Sequence, residues 1–454
     1  MSWSAPYFAY FHQALVKFPR SVLFVCYDFP ALSAAGVIRT YQFAKHLAAL
    51  DWQPIILTAQ TDEERDDNIE KSDGPLSCPK FTAPLARFPL PFRTQPFERP
   101  QPIDRGLLAS RRVSRFLCQS AARFVVPDGK LNWLRPAAQL GFEIASQYPI
   151  QACFSVSPRP TAHLVAHRIA KRLQLPWVAD FALPWSDAYW LQNRPRLLQR
   201  LDRRLEDFVV NAAQHITVAY EEIKDNMDSR SSASQKDKIT VIPTGFEEDL
   251  FAEPTPPSAR KFTVVYPGNH FCEQGRHGEQ FLLAIDDWIG SHPDLQEHVE
   301  FVFMGKRDDA LLRARAAMTH PNVIRVEPLT FHRSCVRAMR SSHACVVNAV
   351  GNRVPAKLYE CMRAKRRILA LTEPGSELAN IVRSYDGGIV VSSHDRSAIR
   401  QALQTMFQQR NRYQDHNLTE PLFSTAYSSK QGSETLCRIL DKLSLPIGAL
   451  KPAN

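Results

Sequence analysis

An α/β chain built as two successive doubly wound domains is what this sequence predicts. Three observations carry that expectation. Short apolar runs of strand length alternate with amphipathic helical stretches almost throughout. A Pro-rich break, "EPTPPSARK" (253–261), divides the alternation into two series. A chain of 454 residues, 44% hydrophobic and 22% charged, has an ordinary globular composition and exceeds what one core supports.

The first series opens with "SVLFVCYDF" (21–29), a continuous apolar run of the kind buried on both faces of a parallel sheet. The loop "PALSAAG" follows, then an amphipathic helix expected from Val37 to Leu50, then the strand "QPIILTA". Together they make a β-α-β unit. Residues 61–104 hold an acidic cluster, "DEERDD", and many prolines, which predict a long loop or insertion. "QACFSVS" (151–157), "PWVADF" (176–181), "HITVAY" (215–220) and "KITVIPTGF" (238–246) add strands. Beyond the linker, "FTVVYPGN", "EFVFMG", "NVIRVEPL", "ACVVNAV", "RRILAL" and "GGIVV" alternate with helices to about residue 391. No fixed-period repeat is present.

In open α/β sheets ligands bind beyond the carboxyl ends of the strands, so the loops "PALSAAG", "SPRP", "ALPWSD", "PTGF", "PGNHF" and "RVPAK" are the expected lining of one cleft. The last of these opens "RVPAKLYECMRAKRRILAL" (353–371), in which Glu360 is the lone carboxylate among Arg353, Lys357, Arg363, Lys365, Arg366 and Arg367. Pro355 suits a first helical turn, and a helix starting in a basic loop favours a bound anion such as phosphate. A carboxylate one turn inside suits sugar hydroxyls better than phosphate. The bland alternative is a solvated basic helix with one balancing acid.

The net charge of +10 favours acidic partners: nucleotide phosphates, anionic lipid headgroups or nucleic acid. No nucleic-acid-binding module accompanies the charge, so no nucleic acid is expected. Nine scattered cysteines without a C-x-x-C pair argue for a reducing compartment and against a zinc site. No run has the length or apolarity of a membrane span, and a cytoplasmic location is expected. Two basic amphipathic stretches, 104–126 and "RPRLLQRLDRR" (194–204), each support two readings: contact with an anionic membrane surface, or a surface helix packed on a core. A dehydrogenase is disfavoured, because no G-x-G-x-x-G follows the first strand.

Five segments in order resemble one family. "SVLFVCYDFPALSAAGVIRTYQFAKHLAALDWQPIILTA" is similar to the N-terminal unit of family 4 retaining glycosyltransferases: a strand, "FPP", a Gly-rich loop, a helix with an Arg, then "W-x-P-x-V-L-T". "FSVSPRPTAHLVAHRIAKRLQLPWVADF", with Pro184 and Trp185 after it, resembles the segment ending "D-x-R-D-P-W", and "VIPTGFEEDLF" resembles the "V-I-P-N-G-F-D" hinge. "VVYPGNHF" and "VPAKLYECMRAKRRILAL" resemble the "Y-x-G-N" strand and the "G-K-L-x-E-Y-L" helix. The resemblance implies a GT-B fold, with two Rossmann-like domains facing across a cleft. The expected limits are 1–252 for the acceptor side, 253–425 for the nucleotide-sugar side, and 426–454 for a helix crossing back and a tail. It implies a nucleotide diphosphate-sugar donor, a glycan or lipid-linked acceptor in polysaccharide or envelope synthesis, and transfer with retention.

By the same resemblance Glu360 contacts the donor ribose, and the Ala356 and Lys357 amides and the Lys357 charge lie near the diphosphate. Gly36, Gly245, Gly268, Asn269, Pro355 and Leu358 complete the implied donor set. Arg276 is a further candidate, since a guanidinium can grip phosphate oxygens in a fork; an exposed helix-start arginine is the equal alternative. Ser157, Arg159 and Trp185 fall on the acceptor side. His163 is the histidine nearest that loop, read either as a catalytic group or as a helix-surface histidine packed beside it. Three departures stand out: Asn352 replaces an earlier glutamate that positions the donor sugar, "SAAG" thins the glycines, and Ala182-Leu183 replaces Arg-Asp before Pro184-Trp185. These favour the alternative of a GT-B-like binding or scaffold protein. No D-x-D triplet occurs, so no metal is expected and the leaving charge falls to backbone N-H groups and cations.

Overall fold

The computed structural model describes residues 20–29, 35–60, 76, 78–86, 125–188, 191–192, 194–230, 236–254, 256–272, 276–328, 332–351, 353–413 and 426–444. Asn352, residues 104–124 of the first arginine-rich stretch, the acidic cluster and the tail lie outside them.

Two all-parallel sheets form. In the first, β1 (Arg20–Val25), β2 (Trp52–Ala59), β3 (Lys80–Ala83), β4 (Ile150–Val156), β5 (Trp177–Phe181), β6 (His215–Val218) and β7 (Ile239–Val241) take the order 3-2-1-4-5-6-7. The second takes the order 10-9-8-11-12-13, from β8 (Phe262–Tyr266), β9 (Val299–Gly305), β10 (Ile324–Pro328), β11 (Ala344–Asn348), β12 (Arg367–Leu371) and β13 (Gly388–Val391). Both orders run outward from the first strand and then jump to its other side. Helices cover the faces, so the central strands are buried at every residue without alternation. The α/β, GT-B class expected from sequence is the observed one.

On one face of the first sheet Val22, Phe24, Ile56 and Phe154 pack with Phe43, Ala44 and Leu47 of α1 (Ala35–Leu47). On the other, α2 (Leu134–Gln147) and α3 (Thr161–Leu173) cover Leu23, Val25 and Cys153. That core continues into Val347, Leu358 and Leu378 of the second sheet's side. Behind the second sheet, α6 (Gly278–Ser291), which follows α4 (Arg196–Ala212) and α5 (Glu221–Asp228) in the chain, and α11 (Arg396–Gln408) close a separate core on Phe262, Val264 and Phe301.

The chain end returns to the beginning. Helix α12 (Ser429–Leu443) lays Leu436, Ile439 and Leu440 on the α1 core. To get there the chain passes Gly245, whose φ is +71°, and a Cβ at that position would stand 2.4 Å from the Tyr427 carbonyl oxygen. The glycine is therefore fixed by close backbone approach of the crossover. Ser428 pairs with Phe246 there and caps α12 by accepting from Gln431 N at 3.1 Å.

Three local expectations need correction. The segment 61–104 contributes β3, an edge strand beside β2, because "KFTA" finds Ile56 to Ala59 to pair with. Gly36 lies inside the first turn of α1, so the loop before it is shorter than "SAAG" suggested. Pro355 precedes the cap residue Ala356, and the helix starts at Lys357. Among the described residues no helix is long and apolar enough to cross a membrane, and eight cysteines are free.

Candidate functional site

Each sheet reverses its strand order beside its first strand, at β1/β4 and at β8/β11, and such switch points open crevices at the carboxyl ends of strands. The two carboxyl edges meet. Glu377, first residue of α10 (Glu377–Arg383) beyond β12, accepts hydrogen bonds from Glu221 N at 3.1 Å and Glu222 N at 3.2 Å. Those amides start α5 (Glu221–Asp228), beyond β6, so a carboxylate from one half sits on a helix N-terminus of the other. Burial raises the Glu377 pKa.

Beside β11, the short helix α9 (Lys357–Arg363) holds Glu360 almost fully buried. Its Oε2 accepts from Lys357 Nζ at 2.7 Å, and its Oε1 lies 2.9 Å from His332 Nε2 at the start of α8 (His332–Ser341). Burial works against ionisation, but the Lys357 ammonium and His332 outweigh it and bring the carboxyl down to about 2. Glu360 is thus a fixed, ionised acceptor, and each oxygen keeps lone-pair capacity beyond the one contact. Lys357 in turn is raised, since Glu360 outweighs its desolvation. At seven residues α9 is too short for its dipole to count for much, and the ammonium expected near phosphate is turned onto Glu360. Leu358 is wholly buried and anchors the helix to the core.

The loop leaving β8 is wired to this crevice. Asn269 O accepts from Tyr266 Oη at 2.9 Å and from Arg276 NH1 at 2.8 Å, while Asn269 Oδ1 accepts from Lys306 N at 2.7 Å. Arg276 NH1 also donates to Tyr266 Oη at 3.0 Å. Gly305 is bare because a Cβ there would lie 2.3 Å from the Gly268 carbonyl oxygen, and one on Gly268 would press the Tyr266 ring at 3.0 Å. Across the switch point Asn348, last residue of β11, donates to Phe271 O and Arg276 O at 3.0 and 3.1 Å. Asn269, Arg276 and Asn348 therefore share one side of the crevice, with Glu360 on the helix that follows β11.

On the first sheet's edge the expected acceptor residues are structural ties. Ser157 is buried and its Oγ accepts from Leu183 N at 3.4 Å, joining "SPRP" to "ALPW". Arg159 Nε donates to Asp28 Oδ2 at 3.1 Å across the β1/β4 switch point, both groups partly exposed. Trp185 is buried and donates to Asp202 Oδ1 at 3.1 Å, from α4 (Arg196–Ala212). His163 corrects the helix-surface expectation, being fully buried. Its Nδ1 lies 2.8 Å from Ser155 Oγ, which also accepts from Trp177 Nε1, and its ring packs on Phe181 at 4.7 Å and Trp185 at 6.5 Å. Burial drives its pKa down to about 3, so the ring is neutral, and among the described residues nothing meets its Nε2.

Several residues escaped the sequence reading. His332 stands 28 positions before Glu360 in "TFHRS", and no local spacing connects them. Arg39 and Asp180 form a buried fork of 2.8 to 3.2 Å, with Thr217 Oγ1 on Asp180 at 2.6 Å and Ile242 O on Arg39 at 2.5 Å. A signal did exist for this pair, since Asp180 interrupts the apolar strand "WVADF" and a buried carboxylate requires a cation.

Residues 36–245 match the family model described as a glycosyl transferase 4-like domain. No curated protein sequence matches the chain. Among solved structures it is similar to sucrose-phosphate synthase from Thermosynechococcus elongatus, with TM-score 0.62 and 13% identity over 93% of this chain and 98% of that one. A glycosyltransferase from Rickettsia africae gives 0.58 and 13% over 94% and 98%. The UDP-GlcNAc 2-epimerase from Neisseria meningitidis bound to UDP-GlcNAc gives 0.53 and 13% over 93% and 100%. Likeness at such identity speaks for the fold, which transferases and epimerases share. The family model is what points the domain to glycosyl transfer.

Proposed function

We propose that this protein transfers a sugar, with retention at the anomeric carbon, from a nucleotide diphosphate-sugar to a glycan or lipid-linked acceptor in polysaccharide or envelope synthesis, working in the cytoplasm. The division of labour at residues 252 and 425 belongs to the same proposal, with donor on the second sheet and acceptor on the first. The observation that carries the reading is Glu360, an ionised carboxylate buried at a switch point and held by Lys357 and His332. It suits a pair of ribose hydroxyls. Arg276, beside Asn269, Gly268 and Asn348, suits diphosphate oxygens; on transfer the bond from sugar to diphosphate breaks, the acceptor oxygen takes its place, and the acceptor proton leaves with the diphosphate. Cations and backbone N-H groups meet that charge in this scheme, and no metal is invoked. Asn352 would touch the donor sugar through its amide. The buried, weakly basic His163 is better suited to shaping the pocket under Trp185 than to taking a proton.

The alternative of a scaffold protein draws support from Glu377, whose carboxylate already fills the α5 N-terminus between the two halves. A thermal-shift panel of UDP-, GDP- and ADP-sugars separates the two. Binding of one nucleotide class is expected, weakened in Glu360→Ala by about 1.5 to 3 kcal/mol for two charge-assisted hydrogen bonds. No shift across the panel, or an unchanged shift in Glu360→Ala, would leave the scaffold reading standing.

A further inference from the structure

Helix α4 is turned inside out. Asp202 and Glu206 are 0% and 2% exposed, while Leu197, Leu201 and Phe208 are 68%, 39% and 43% exposed. Positions 202, 206 and 209 recur at helical spacing on the inner face, and 197, 201, 204 and 208 on the outer one. The inner carboxylates have work. Asp202 receives Trp185 Nε1 and Arg194 NH1, the latter at 2.5 Å, and Glu206 receives Ser186 Oγ at 2.5 Å and Arg230 NH2 at 2.8 Å. They clamp the loop that leaves β5. The outer face carries Arg196, Arg200 and Arg204, exposed and without a carboxylate partner among the described residues, flanking the three apolar side chains. Of the acids near this face, Asp207 is paired with Arg230 at 3.0 Å and Asp187 with Arg203 at 2.6 Å. Helix α3 extends the positive surface with exposed Arg168 and Lys171, and its His167 ring meets Phe208 at 4.8 Å.

We propose that this outer face of α4, with the cations of α3, docks on an anionic lipid bilayer. An apolar stripe about 16 Å long, at 1.5 Å per residue from Leu197 to Phe208, with arginines on its flanks is the pattern of a helix lying in a membrane interface, where guanidinium groups reach headgroups and apolar side chains enter the acyl boundary. Three side chains are little area for a stable protein interface, which covers about 800 Å² per partner. Charge argues against cover by the stretch 104–126, whose Arg105, Arg111, Arg112, Arg115 and Arg123 repel the same face. The acidic cluster 62–67 offers charge but no apolar side chain for the stripe. Docking here holds the loop carrying Trp185 about one helix diameter, about 10 Å, behind the bilayer surface, because Asp202 ties that loop to the inner face of α4. Its link to a lipid-linked acceptor rests on the transferase reading; the docking itself does not.

The test is co-sedimentation of the full chain with vesicles of phosphatidylcholine alone and of phosphatidylcholine containing phosphatidylglycerol, at low and high salt. Binding is expected on the anionic vesicles, at least about tenfold weaker at high salt. It should be lost in Arg200→Glu/Arg204→Glu and in Leu197→Ser/Leu201→Ser, with melting temperatures unchanged; Leu197→Ser alone serves if the double variant melts early. Equal binding to neutral vesicles, no binding, or indifference to both variants overturns the proposal. Nucleotide-induced shifts measured on the same samples keep the two questions apart. Shifts without vesicle binding sink the docking alone, and vesicle binding without shifts sinks the transferase reading alone.

Discussion

Two ion pairs near the two switch points use the same chemistry to opposite ends. Arg39 and Asp180 are both buried and forked together, and Thr217 and Ile242 add a further bond to each. Lys357 and Glu360 sit in a similar place in the second half, yet Lys357 is partly open and Glu360 is completed by His332, itself near the surface. The first pair ties a helix to the middle of its sheet and, at 1% and 0% exposure, lies out of reach of a ligand. The second keeps lone-pair capacity beyond those two contacts, on the helix that follows β11 at the second switch point. A fully buried pair is therefore a fastening, whereas one whose cation still meets solvent is the better candidate for a binding site.

The largest effect should come from breaking the fastening. Arg39→Leu leaves the Asp180 charge buried without a cation and should cost about 3–5 kcal/mol, read as an early transition of the first half in denaturant unfolding. A loss below about 1 kcal/mol would mean that the pair is replaceable and the comparison is drawn in the wrong place.

Acid should sharpen the contrast next. His163 has a folded pKa near 3, below its unfolded value, so it binds a proton only on unfolding when the pH lies between about 6.5 and 3. Stability is therefore complete above about 6.5 and falls with pH by about 1.4 kcal/mol per unit from this one ring. His215, pushed down to about 4 by burial, adds to it on the same sheet. Glu360, lowered to about 2, loses its contribution later, from about 4.5 downward. Melting curves from pH 7 to 4 should fall, and His163→Leu should flatten them by about one proton. An unchanged slope would show that the ring titrates normally and is not sealed.

The smallest effect is expected at His332. His332→Ala removes one hydrogen bond from Glu360 and should weaken nucleotide binding by about 0.5–1.5 kcal/mol, with little change in melting temperature. His332→Gln, which keeps a donor, should restore most of it. A loss as large as that of Glu360→Ala would make His332 a direct ligand contact, beyond its role in holding the carboxylate.

The strand-helix alternation, the break near 253–261 and the helix bearing Glu360 were legible in the sequence because each rests on local spacing of apolar residues and on Pro and Gly chemistry. β3 was not, since a four-residue edge strand carries too little pattern and forms only because β2 offers it a ladder. Gly245 looked like a ligand-loop glycine, and the structure gives it a nearer reason in the Tyr427 backbone, 182 residues away in the chain. Spacing is local. By itself the sequence determined the two doubly wound halves and placed a carboxylate one turn inside a helix that begins in a basic loop. Tertiary structure alone decided that Glu360 is ionised and held by His332, that His163 is sealed away, that Glu377 reaches across to α5, and that α4 turns its acids inward and its leucines out. Each of these depends on which distant group a side chain meets and how far water is excluded there, and hydrogen-bond partners and desolvation are set by the packed fold.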